Sequence, residues 1–88
     1  MRVYGDSRSG NCFKIQLVAQ LLGLTLDWQE VDVLSGYTRS PAFLSLNPNG
    51  KIPLLVLDDD RSLAESNAII HYLAEGSRLI PKDPWQRA

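Results

Sequence analysis

Apolar and polar positions change rhythm several times along this chain, and each change predicts an element. A short apolar run, "RVYG" at residues 2–5, reads as a first strand. From Gly10 the spacing becomes helical: Ile15, Val18, Ala19 and Leu22 stand at i, i+3, i+4 and i+7, and Gly23 follows as a C-cap. Leu17 and Leu21 widen the stripe beyond one core face, so this helix is expected to be covered on a second side. "LTLDWQEVDVL" (24–34), rich in Trp, Thr and Val, predicts a second strand with imperfect alternation, and "SGYTR" a turn or loop. Ser40-Pro41 reads as an N-cap with proline at the first helical position. The short helix "PAFLSL" must end at Asn47-Pro48, because the residue before proline is pushed out of the helical region. "NPNGK" is a turn. "IPLLVL" is a continuous apolar run, as in a strand buried on both faces. "RSLAES" holds a brief last strand, and "ESNAIIHYLAEG" a helix stopped at Gly76.

The order is β-α-β-α-β-β-α. Right-handed crossover rules favour a parallel first pair, and the tight Asp-rich connection an antiparallel hairpin at the end. The fold class is therefore α/β with a mixed four-stranded sheet. Residues 1–76 form the expected domain. Residues 77–88, with two prolines, no periodicity and an exposed Trp85, read as a linker leading toward a further domain.

Composition narrows the function. The 88 residues suit one small domain with one modest core. A net charge of -1 gives no electrostatic case for nucleic acid or an anionic membrane. No apolar stretch approaches the ~20 residues of a bilayer span, and the amino terminus lacks a signal-peptide pattern. A single cysteine permits no internal disulfide and fits a reducing cytoplasm. The one like-charge run, Asp58-Asp59-Asp60, reads as a solvated hairpin turn rather than a metal site.

Three segments carry candidate chemistry. Ser9-Gly10-Asn11-Cys12 lies at a strand-to-helix junction, where unpaired N–H groups and the positive end of the helix dipole favour negative charge. Its spacing is that of a redox CxxC with oxygen in place of the first sulfur. The plain alternative is Ser9 or Asn11 as a helix cap and Cys12 as a small core residue. "NGKIP" (49–53) holds a proline directly before an apolar strand, a place for a cis peptide bond or simply a strand start. Glu65-Ser66 opens a helix, either as a cap with a first-turn acid or as a site where Ser66 and backbone N–H groups take a carboxylate while Glu65 takes an ammonium. His71, inside the last helix, has no expected ligand role. Lys14 and Arg39 read as solvated, though either could steer an anionic peptide.

Taken together, "YGDSRSGNCFK", "LNPNGKIPLLVLDD" and "LAESNAIIHYLAE" resemble the N-terminal, thioredoxin-like domain of cytosolic glutathione transferases of the serine type, over essentially all of residues 1–85. That resemblance implies glutathione as co-substrate, activated as a thiolate for attack on an electrophilic small molecule, with the electrophile pocket completed by a second, all-helical domain. It implies Ser9 as hydrogen-bond donor to the glutathione sulfur, with Ser7 and the Asn11 amide as alternative donors and Cys12 turned to the core. It matches Ile52 to the residue whose backbone pairs with the cysteinyl part and Pro53 to the cis-proline after it. Glu65 and Ser66 match the pair that binds the γ-glutamyl end, and Lys51 is placed for the glycyl carboxylate. Cytoplasmic location and a homodimer are implied in the same way. The chemistry is sufficient in magnitude. Ionising a thiol near pH 7 from a reference of roughly 8.5 needs about 2.7 kcal/mol. One charge-assisted hydrogen bond contributes roughly 1.5–3 kcal/mol, and a helix dipole about 0.3–1. The competing expectations are a glutaredoxin-like thiol-disulfide oxidoreductase using Cys12, against which the serine at the nucleophilic position argues, and a non-catalytic protein-interaction module of the same fold.

Overall fold

The computed structural model describes all 88 residues. Four strands, β1 (Arg2–Gly5), β2 (Asp27–Glu30), β3 (Leu54–Val56) and β4 (Ser62–Ala64), form one sheet in the order β2-β1-β3-β4. β1 runs parallel to β2 and antiparallel to β3, and β3 antiparallel to β4. The mixed four-stranded sheet and the element order thus agree with the expectation from sequence.

The helices cover both faces, which is why β3 is buried at all three positions. α1 (Gly10–Leu22) and α3 (Ser66–Ala74) lie on one face and enclose Val3, Ile15, Leu55, Ile69 and Leu73. On the other face Phe43, from α2 (Pro41–Leu46), packs on Leu54 and Val56, with Tyr4 and Tyr37 rings at 5.9 and 5.7 Å. Side chains alternate across a strand, so Val3 and Leu55 serve one core while Tyr4, Leu54 and Val56 serve the other. Each fully buried large side chain contributes about 1.5–3 kcal/mol.

The helix ends follow the local signals. Gly23 closes α1 in the left-handed region at φ 69°. Ser40 Oγ accepts from the Phe43 N–H at 3.2 Å, with Pro41 opening α2. Two stretches depart from the sequence reading. The second strand covers only Asp27–Glu30 instead of 24–34, because its sole partner, β1, offers four residues. Past Val31 the chain makes two 3-10 turns, Val33–Ser35 and Tyr37–Arg39, the first capped by Asp32. Beyond α3, Asp83 caps one further helical turn, α4 (Pro84–Arg87), by accepting from the Gln86 N–H at 3.0 Å. Trp85 on it is 88% exposed. No helix is long and apolar enough to cross a membrane.

Candidate functional site

Strand directions bring the three segments to one end of the sheet. β1, β2 and β4 all finish there, and antiparallel β3 starts there, with Tyr4 opposite Leu54 and Leu54 opposite Ala64. The chain leaving β1 carries Ser9, the chain entering β3 carries Lys51–Pro53, and the chain leaving β4 carries Glu65 and Ser66. The amino ends of α1 and α3 are joined at this point: Ser66 Oγ donates to Asn11 Oδ1 at 3.5 Å, and Lys14 Nζ to Asn67 Oδ1 at 2.6 Å. Lys14, expected in solvent, is thus tied to α3.

Ser9 occupies the N-cap position of α1, yet its side chain makes no capping hydrogen bond. Its hydroxyl is thus without a hydrogen-bond partner at a helix amino end, where negative charge is favoured. Ser7 is already committed: its hydroxyl donates to Glu30 Oε1 at 2.7 Å and its N–H to Glu30 Oε2 at 3.0 Å. Trp28 Nε1 donates to the same carboxylate at 2.8 Å. These three bonds, the Ser7 hydroxyl first, hold Glu30 below the usual carboxylate range. Cys12 is wholly buried, its Sγ accepting from the Asp6 N–H at 3.4 Å. It faces the core, as one of the sequence alternatives had it. Gly5, just before this loop, meets the Trp28 ring: a Cβ there would stand 2.5 Å from Trp28 Cζ2.

Four charged residues that no motif marks organise the same loop. Asp6 is buried, and the Arg8 guanidinium grips it with Nε at 2.9 Å and Nη2 at 2.7 Å. Arg8 Nη2 also reaches Asp32 Oδ1 at 2.8 Å. The Arg8 side chain first, then the Arg8 and Val33 N–H groups, hold the Asp6 carboxyl far below its ordinary value. Asp32 is lowered by the Leu34 N–H and by Arg8, and the two aspartates raise Arg8 in turn. Glu30, on Ser7, completes the set. The only sequence signal was an aspartate two residues before an arginine at a strand end, the spacing of an Asx-turn.

The second half of the site is built by the backbone. The Ile52–Pro53 peptide is cis. Asn47 is buried, its Nδ2 donating to the Lys51 carbonyl at 2.9 Å and its Oδ1 accepting from the Asn49 N–H at 3.2 Å. Gly50 has φ 62°, and a Cβ there would come within 3.0 Å of the Thr38 carbonyl oxygen, so both conformation and space call for glycine. Glu65, a non-glycine residue, holds φ 72° and ψ 116° directly before α3. Such strain clusters at functional sites. Ser66 is buried, while the side chains of Lys51 and Glu65 are exposed and enter none of the ion pairs.

A mixed four-stranded sheet covered by helices, with two helix amino ends meeting at one end of it, places the domain in the thioredoxin-like class of α/β folds. Residues 8–75 match the family model described as glutathione S-transferase, N-terminal domain, and the chain belongs to that family. Among solved structures, a glutathione S-transferase from Pseudomonas fluorescens superposes with a TM-score of 0.92 at 57% identity, over 98% of this chain and 43% of that one. A maleylacetoacetate isomerase from Methylobacterium extorquens, solved with bound malonate and glutathione, gives a TM-score of 0.90 at 32% identity, over 99% of this chain and 42% of that one. The maleylacetoacetate isomerase of Pseudomonas aeruginosa is 36% identical over 100% of this chain and 44% of its own length. The chain thus spans less than half the length of these relatives.

Proposed function

We propose that this chain binds glutathione across the end of the sheet and, as the amino-terminal part of a glutathione transferase, activates its thiolate for attack on an electrophilic small molecule. The observation that carries the reading is the meeting, at one sheet end, of an uncommitted Ser9 hydroxyl, the Lys51–Pro53 segment entering β3 and the strained Glu65 before α3. In this reading Ser9 donates to the sulfur, and the Ile52 backbone pairs with the cysteinyl unit beside Pro53. Ser66 and the amino end of α3 take the γ-glutamyl carboxylate, Glu65 its ammonium, and Lys51 the glycyl carboxylate. The hydrogen bonds that Ser7 makes to Glu30 favour Ser9 over Ser7 as donor. Burial of Cys12 weighs against a Cys12-based oxidoreductase.

The electrophile is held jointly with a second, all-helical part. Phe13, Leu17 and Leu21, 55%, 47% and 48% exposed on the side of α1 away from its buried Cys12, Ile15 and Ala19, support that docking. Cytoplasmic location and a homodimer accompany this assignment. Isothermal titration with glutathione tests it. Ser66→Ala and Glu65→Ala each remove a hydrogen bond to a charged group, a loss of about 1.5–3 kcal/mol, or roughly 10- to 100-fold in Kd. Equal affinity in the parent and both variants sinks the assignment.

A further inference from the structure

Asp6 is only 1% exposed, and every polar group it owns is engaged. Its N–H donates to Cys12 Sγ at 3.4 Å, and its carbonyl accepts from the Ser9 N–H at 2.9 Å. Its Oδ1 accepts from the Arg8 N–H at 3.0 Å and Arg8 Nε at 2.9 Å. Its Oδ2 accepts from Arg8 Nη2 at 2.7 Å and the Val33 N–H at 3.3 Å. One residue therefore closes the Asp6–Ser9 turn, ties it to the first turn of α1, and ties both to the loop after β2. Ser9, by contrast, has no side-chain tether of its own, so its hydroxyl goes wherever its backbone is held.

We propose that Asp6 is a positioning residue: by fixing the Asp6–Ser9 turn it holds the Ser9 hydroxyl in line with the glutathione sulfur. The proposal rests on the reading of Ser9 as the sulfur's donor. Hydrogen bonds weaken steeply as the donor leaves the line to its acceptor, so a loosened turn stabilises the thiolate less. Simple charge has the opposite sign. Asp6→Asn removes a negative charge close to the sulfur site and releases Arg8 from one of its two anions, and both changes favour a thiolate. The other charged groups around the turn, Arg8, Asp32 and Glu30, also have partners besides Asp6: Arg8 bonds Asp32, and Glu30 bonds Ser7. The direction of the change thus separates positioning from electrostatics.

The experiment is a pH titration of the ultraviolet absorbance of the bound thiolate, with glutathione saturating, on the 88-residue chain. The proteins are the parent, Asp6→Asn, Ser9→Ala and the double variant, with far-ultraviolet circular dichroism to establish folding. Asp6→Asn is expected to ionise the sulfur at higher pH, with about tenfold less thiolate at a fixed pH on the acid side. In the Ser9→Ala background the same substitution should give no alkaline shift, leaving only the acid-side shift of the lost charge. An unchanged or acid-shifted titration in Asp6→Asn overturns the proposal, as does an equal alkaline shift in both backgrounds. If Ser9→Ala titrates like the parent, the assignment of Ser9 itself fails. A shifted Ser9→Ala beside an unshifted Asp6→Asn defeats the positioning role alone. Should Asp6→Asn not fold, Arg8→Lys, which keeps the positive charge and gives up the two-point grip on Asp6, takes its place, and its alkaline shift must likewise vanish in the Ser9→Ala background.

Discussion

Residues 6–12 and residues 47–66 meet at the same end of the sheet, yet different forces hold them there. The first loop hangs on charged side chains, one pair local and two from distant parts of the chain: Asp6 on Arg8, then Arg8 on Asp32 and Ser7 on Glu30. The second half is set by backbone conformation: cis Pro53, the positive φ of Gly50 and Glu65, and one buried amide, Asn47. The difference has a consequence. A side-chain network can be retuned by protonation or by one substitution without unfolding the domain. A backbone-defined loop either keeps its shape or costs stability as a whole.

The largest expected effect therefore falls in the second half. Asn47→Ala strands the Lys51 carbonyl and the Asn49 N–H, both now served by one buried side chain. Each lost hydrogen bond costs about 0.5–1.5 kcal/mol, and each ~1 kcal/mol lowers the melting temperature of a domain this size by roughly 4–8 °C. Thermal melting should show that fall, and calorimetry a weaker glutathione affinity with it. A melt within a degree of the parent would mean that Gly50 and Pro53 hold the loop unaided, and the comparison would lose one side.

A smaller change of opposite sign sharpens the same point. Glu65 stands at φ 72°, ψ 116°, a conformation costing of order 1–3 kcal/mol for a residue with a side chain. Glu65→Gly relieves that strain and adds an entropic cost of roughly 0.5–1 kcal/mol. The variant should be more stable by about 1 kcal/mol in denaturant titration while losing affinity for glutathione. If it is less stable, no strain is stored there, and the second half is held by contacts like the first.

The two halves also differ in how much of them the sequence displays. Proline, glycine and asparagine announce backbone events locally, so "NPNGKIP" could be read as a turn into a buried strand, and Ser40-Pro41 as a helix start. The apolar run of β3 showed that both faces of the sheet would be covered. Beyond the Asp6-x-Arg8 spacing, the side-chain network has no local signature. Arg8 and Asp32 stand 24 residues apart and Ser66 and Asn11 55 apart, and only the fold makes them neighbours. The same lack of partner information lengthened the second strand: residues 24–34 are rich in strand-favouring Thr, Trp and Val, but pairing stops where β1 stops. Nor does any property of glutamate announce that Glu65 takes a conformation usual for glycine.

The mildest perturbation is acid, and it should reach the first half before the rest. Asp6, Glu30 and Asp32 are all held below their ordinary carboxylate values in the folded loop. Protons therefore bind the opened loop in preference, and the stabilisation these groups give is complete above the ordinary values of about 3.9–4.3 and falls as the pH drops through and below them. Trp28 reports on the event, because its indole N–H is bonded to Glu30 at 2.8 Å. With Trp85 replaced by Phe to remove the exposed second indole, Trp28 fluorescence should be constant from pH ~8 to ~5 and change as the pH falls below ~4. Far-ultraviolet circular dichroism should respond only at still lower pH. If both signals move together, the charged loop opens only with the whole domain, and its wiring is as firm as the backbone-defined half opposite.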